Sequence, residues 1–186
     1  MIKTISRIAA VALVLSASQT VLAAPAVSGP AAPADGGIIP LPLNPVVPAS
    51  QRGCTLKTAS GLGYTVLRAA AGPKPAADGY VLVNYIGYLA ANGQTFDQST
   101  GAAFPVGGVI PGFSEGLQLA SKGTILRLCI PAVMGYGAQA QGPIPANSDL
   151  VFQVELVDFR TKAEVDAMQA AQQAAPQAAG TVTPPK

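Results

Sequence analysis

Hydrophobic and polar positions alternate with a period of two in several stretches of this chain. In residues 80–89 (YVLVNYIGYL), Val81, Val83 and Tyr85 share one face, and β-branched and aromatic residues dominate. Residues 124–130 (TILRLCI) put Leu126, Leu128 and Ile130 on one side and Ile125, Arg127 and Cys129 on the other. Residues 149–159 alternate most clearly, with Leu150, Phe152, Val154 and Leu156 pointing one way and Gln153 and Glu155 the other. A shorter run, YTVLR at 64–68, reads as a further strand. Asn92-Gly93 after the first run signals a type I′ hairpin, with residues 94–97 as the returning strand. Residues 112–121 (GFSEGLQLAS) break the alternation. Phe113, Leu117 and Ala120 recur there at i, i+4 and i+7, the spacing of a short amphipathic helix that Gly116 weakens. Together these elements predict an α+β fold, an antiparallel sheet with one buried face covered by a single helix.

The two ends follow other rules. Lys3 and Arg7 precede a short apolar run, IAAVALVLS at 8–16, and Val21-Leu22-Ala23 offers small residues for cleavage after Ala23. That is the layout of a secretory signal peptide over residues 1–23. The apolar run falls well short of the roughly 20 residues needed to cross a bilayer, so no membrane insertion is expected after signal removal. Residues 24–50 carry Pro25, Pro30, Pro33, Pro40, Pro42, Pro45 and Pro48. Proline at that density supports neither helix nor ladder and predicts an extended or disordered linker. Residues 51–160 form the folded domain on this reading. Residues 161–186 hold an Ala- and Gln-rich segment able to make a short helix, followed by a disordered tail.

Composition narrows the chemistry. The 186 residues include 11 Lys plus Arg, 9 Asp plus Glu, and no His. Without Lys3 and Arg7 the mature chain is formally neutral, which argues against nucleic acid as a partner. The missing His excludes His-based triads, His metal sites and an imidazole base. Two Cys are too few for a four-thiolate centre, and the acids are scattered singly, so no cofactor or metal is expected. Any activity must ask little of general acids and bases. Rotation about an X–Pro bond meets that condition, because no covalent bond breaks and the barrier of about 18–20 kcal/mol comes from amide resonance. An apolar hollow that removes water from the dipolar planar amide, with a well-placed hydrogen-bonding group, would favour the twisted state.

Four segments in order carry a family pattern: VNYIGYLAANGQTFDQS at 83–99, FPVGGVIPGFSEGL at 104–117, KGTILRLCIPAVMGYG at 122–137 and GPIPANSDLVFQVELVDF at 142–159. Residues 61–159 resemble the FKBP-type peptidyl-prolyl cis-trans isomerases, the macrolide-binding immunophilins, in an exported bacterial form. The resemblance implies a twisted antiparallel half-barrel of about five strands wrapped on one short α-helix. It also implies a proline pocket walled by Tyr85, Phe96 and Phe152 and floored by Phe113. Val109 and Ile110 match the apolar pair whose second backbone N–H holds the peptide. Asp97 matches the carboxylate beside the carbonyl preceding proline, and Tyr136 the hydroxyl that bonds the bound peptide. Ile144 matches the loop closing over the site, and Phe104 an aromatic of the strand before the helix.

The chain departs from the family at Phe113, where many members have Trp, at Ala102, where a second aromatic is common, and in the loop 138–144, one residue shorter than the usual form. Those departures touch efficiency, substrate preference and macrolide affinity. Taken alone, Tyr85, Phe96 and Phe152 read as core residues, Asp97 as a turn residue capping its own backbone, and Tyr136 as part of a glycine turn.

The expected activity is prolyl isomerisation in folding exported proteins, in the periplasm, with Pro-containing unfolded polypeptides as partners and macrolides as inhibitors. The rival is a chaperone-like binder of Pro-containing or apolar segments without catalysis. A Pro-rich N-terminal segment in place of a helical one favours a monomer. An exported setting also favours a Cys54–Cys129 disulfide stapling the N-terminal extension to the sheet's outer face, the alternative being two separate thiols.

Overall fold

A computed structural model describes residues 37–39, 41 and 46–174; the expected signal segment, most of the expected linker and the tail beyond 174 lie outside the described residues. Six strands form one antiparallel sheet: β1 (Leu56–Lys57), β2 (Gly63–Arg68), β3 (Tyr80–Leu89), β4 (Thr95–Pro105), β5 (Ile125–Ile130) and β6 (Leu150–Arg160), in the order β1-β2-β5-β6-β3-β4. Helix α1 (Pro111–Leu119) follows β4, and α2 (Lys162–Ala174) follows β6. The five expected strands are thus joined by β1, a two-residue edge strand whose Leu56 and Lys57 pair with Tyr64 and Gly63. Among the described residues no helix is long and apolar enough to cross a membrane.

The alternation along β3, β5 and β6 decides which residues meet α1. Val81, Val83, Tyr85, Leu126, Leu128, Ile130, Leu150, Phe152, Val154 and Leu156 join Phe113 and Leu117 in one buried cluster on the concave face. Pro111 opens α1 at a position where its missing N–H costs nothing. Gly116, which weakens the helix by propensity, is what lets it approach β5. A Cβ there would lie 2.3 Å from Leu128 Cδ1. Register shifts in β3 against β4, at Val83/Tyr85 and again at Gly87/Tyr88, bend the two strands around the helix.

Two expectations need correction. The sheet does not have a single buried face, and residues 24–50 are not wholly a free linker. Ile39 and Val47 from that segment pack against Ile86, Tyr88 and Val151 on the convex face. Polar residues that pattern alone assigns to solvent are buried there because they satisfy the segment's backbone. Gln153 accepts from Ile39 N–H at 2.6 Å and donates to Ile39 C=O at 2.7 Å. Arg127 donates to the carbonyls of Gly37 and Gly53. Cys54 and Cys129 are disulfide-bonded with Cα atoms 6.1 Å apart, Cys129 facing the convex side.

The β3–β4 hairpin forms where expected, but not through a type I′ turn. Residues 90–94 link the strands, and only Gly93 takes a positive φ, 76°, whereas type I′ needs it at both central positions. Asn92 Oδ1 instead accepts the Gln94 N–H at 2.9 Å, an Asx-type closure that widens the loop. The returning strand also runs beyond Asp97, to Pro105.

Candidate functional site

A cavity of about 530 Å³ opens on the concave side, where the sheet curves away from the first turn of α1. Tyr85 reaches it from β3, Phe96, Asp97 and Phe104 from β4, Val109 and Ile110 from the turn before α1, Phe113 from α1 and Phe152 from β6. Tyr136 and Ile144 come from the long β5–β6 connection. All ten side chains singled out from the sequence for the pocket therefore line one hollow. Gly108, Gln141, Gly142 and Pro143 line it too and were not singled out; the Gly-Pro pair before Ile144 was the available signal for that turn. Ala102 sits on β4 opposite Val83 and packs on the core, outside the hollow's lining.

Five rings shape the walls. Phe113 and Phe152 have centroids 4.9 Å apart, Phe96 and Phe152 meet nearly edge to face at 5.4 Å, and Tyr85 stands 5.9 Å from Phe104 and 6.1 Å from Phe113. Tyr85, Phe113 and Phe152 are buried yet still bound open space. Gly87 lies beneath this group, and a Cβ on it would fall 2.7 Å from both the Phe96 and the Phe152 rings.

Phe96 and Asp97 are neighbours, so a regular strand would send them to opposite faces. Both nevertheless reach the hollow. Gly87 pairs with Asp97 and Tyr88 with Thr95, leaving Phe96 as the extra residue of a bulge. The bulge turns two consecutive side chains toward one ligand.

The polar groups sit at the rim. Tyr85 donates its hydroxyl to Asp97 Oδ2 at 2.6 Å. Burial, then this hydrogen bond and the charge of Asp97, push the Tyr85 phenol well above its ordinary range, which keeps it a donor. Asp97 is itself exposed and lines the hollow, its carboxylate held by the Tyr85 hydroxyl. Tyr136 is 37 % exposed, and its hydroxyl has no partner among the described residues. The turn carrying it is fixed by the Gly137 N–H to Ala132 and by the Asn147 N–H to Gly137, at 2.8 and 2.7 Å. Gln141 and Ile144 exchange two backbone hydrogen bonds at 2.9 Å across Gly142-Pro143, a tight tip that seats Ile144 in the core. Ile110 gives its carbonyl to Phe113 and Ser114, and its own N–H has no backbone acceptor among the described residues.

An apolar hollow with one fixed carboxylate, one free hydroxyl and one free backbone donor can desolvate and orient a small apolar ring. It holds no nucleophile–base pair. Among the described residues, no cluster of three or more His, Cys, Asp or Glu forms a metal cage.

Residues 72–157 match the family model described as FKBP-type peptidyl-prolyl cis-trans isomerase. The chain is 43% identical over 104 residues to the FKBP-type isomerase FkpA of Aeromonas hydrophila, covering 54% of this chain and 38% of that protein. It is 42% identical over 117 residues to FkpA of Escherichia coli, covering 60% and 43%. The chain thus spans less than half the length of these relatives. A crystal structure of a peptidyl-prolyl cis-trans isomerase from Pseudomonas syringae superposes with a TM-score of 0.54 at 39% identity, covering 57% of this chain and 80% of that one.

Proposed function

From the premise that this chain belongs to the FKBP-type peptidyl-prolyl cis-trans isomerase family, we propose that it accelerates rotation about X–Pro bonds in unfolded polypeptides. The observation that carries this reading is the open hollow ringed by Tyr85, Phe96, Phe104, Phe113 and Phe152, with Asp97 and Tyr136 at its rim. The pyrrolidine enters between the rings and leaves water behind. A planar amide is more dipolar than a twisted one, so the dry hollow raises the planar state relative to the twisted state. The Ile110 N–H holds the peptide backbone, and the Tyr136 hydroxyl bonds the chain beside the proline. Asp97, oriented by Tyr85, stands against the carbonyl preceding proline and favours its rotated position. A reduction of the barrier by about 6–8 kcal/mol corresponds to roughly 10⁴–10⁶ in rate.

On this reading the clients are exported chains, folded after the signal segment is removed. Unassisted X–Pro exchange takes tens to hundreds of seconds at about 25 °C, slow enough to limit folding. On the same reading, the Pro-rich N-terminal segment in place of a helical one favours a monomer, and the signal segment directs it to the periplasm. Phe113 in place of Trp gives the floor a smaller ring and macrolide inhibitors less contact.

A protease-free isomerisation assay on an Ala-Leu-Pro-Phe peptide tests the proposal. Wild type should accelerate exchange, Asp97→Ala should do so less, and Tyr85→Ala or Phe152→Ala should nearly abolish it. Wild type and variants all matching the buffer rate, while still slowing aggregation of an unfolded client, would assign the hollow to a non-catalytic chaperone-like binder.

A further inference from the structure

Residues 46–54 lie outside the part of the chain that matches the family model, yet they hold the closed end of the β3–β4 hairpin. Val47, fully buried, donates its N–H to Gly93 C=O at 2.9 Å, and Val46 bridges Gln94 in antiparallel fashion. Arg52 donates through one terminal nitrogen to the carbonyls of Ala90 and Ala91, at 3.3 and 2.8 Å. The approach is too close for any side chain at Gly93, where a Cβ would lie 2.1 Å from Val47 O. A short 3-10 turn, Ala49–Gln51, joins these contacts, and Gln51 C=O accepts the Tyr88 hydroxyl at 2.6 Å. The segment ends at Cys54, bonded to Cys129 on β5.

What the hairpin carries makes these contacts consequential. Beyond Gln94 come Thr95, the bulged Phe96 and Asp97, two of which line the hollow. The bulge interrupts the ladder at Phe96, so support from β3 is weakest beside that residue. The closed end of the hairpin is the nearest fixed point, held from outside by residues 46–52 and, at the Ala90 N–H, by Asp149 C=O at 3.1 Å.

We propose that residues 46–54 are a strap that positions the β3–β4 hairpin for the isomerase reaction, with Arg52 as its positioning residue and the Cys54–Cys129 bond as its lock. The proposal rests on the isomerase reading above. The lock is open to exchange. Both cysteines are half-buried and line a groove of about 440 Å³, with Arg52 and Lys57 alongside to attract a thiolate. A dithiol reductant would open it in two steps. Its thiolate attacks one Sγ and breaks the S–S bond, and its second thiol then resolves the mixed disulfide. Two electrons and two protons pass to Cys54 and Cys129, and the reductant leaves as a disulfide.

The test compares oxidised wild type, dithiol-reduced wild type, oxidised Arg52→Ala and, as control, oxidised Thr55→Ala, whose hydroxyl touches only Thr65. Peptide isomerisation and amide hydrogen exchange are measured on each. Arg52→Ala and the reduced protein should lose about three- to tenfold in kcat/KM, carried by kcat, because Asp97 and Phe96 are displaced rather than removed. Exchange at Gly93 and Phe96 should quicken in step, reoxidation should restore both, and Thr55→Ala should match wild type. Should the reduced protein lose its circular dichroism, Arg52→Ala decides, since its bond is intact. Unchanged kcat/KM in Arg52→Ala, or a loss with exchange at Gly93 and Phe96 unaltered, overturns the strap. If oxidised wild type does not accelerate rotation at all, the isomerase reading has failed instead. The strap then stands if exchange at Gly93 and Phe96 quickens in Arg52→Ala, and falls if it does not.

Discussion

Gly87 shows how a residue with no side chain can shape a pocket. It faces the same side as Tyr85, and the Phe96 and Phe152 rings occupy the space its Cβ would need. Gly87→Ala should push those rings into the hollow at a cost of roughly 1–3 kcal/mol. In the isomerase assay this should appear as a raised KM, and equilibrium denaturation should show the loss of stability. Tyr88, one position on, faces the other way. Burial is the main cause that lifts its phenol from 10.0 to about 12, the charges and hydrogen bond of nearby Arg127 and Arg52 opposing it in part. Its folded pKa lies above its unfolded one, so its share of stability is whole below pH 10 and is lost as pH climbs through 12. An alkaline denaturation series should show this decline, and Tyr88→Phe should flatten it. The ring at Tyr85 was legible in the sequence from alternation alone. The shared orientation of Phe96 and Asp97 was not, because a bulge is invisible to a period of two.

At the scale of elements, α1 and β5 meet through a glycine that local propensity marks as a fault. An ordinary helical Gly→Ala gains up to about 1 kcal/mol. Here Gly116→Ala should lose stability instead, because the new methyl collides with Leu128 on β5. Combined with Leu128→Ala, which opens space at that contact, the two losses should sum to clearly less than their separate values in a double-mutant cycle read by urea denaturation. The strands β5 and β6 were readable because each alternates, β3 because β-branched and aromatic residues dominate it, and the face assigned to β5 and β6 is the face that packs on α1. The convex face departs from its pattern for an equally physical reason. Arg127 and Gln153 look like solvent residues, and only a backbone laid across them makes them interior ones. A proline-rich composition says that residues 24–50 build no ladder of their own. It does not say that part of them has no partner elsewhere.

For the whole molecule, the hollow and its supports belong to the sheet, α1, the connections before α1 and between β5 and β6, and the segment 46–54, while α2 lines none of it. Thr161 and Glu164 cap α2 reciprocally, side chain to backbone in both directions, and Lys162 pairs with Asp166 one turn on. None of its residues is buried. Ending the chain after Thr161 should therefore leave kcat/KM unchanged and shift stability by less than about 0.5 kcal/mol.

The mouth of the hollow sets a limit on what the protein can read. It is ringed by five aromatic side chains with Asp97 and Tyr136 at the rim, and on the proposed function it reads a proline and the atoms beside it. A maturing client withdraws that handle by tucking the bond inside itself. On the proposed function, release follows from the client's own folding, and a chain whose prolines are buried is not picked up again.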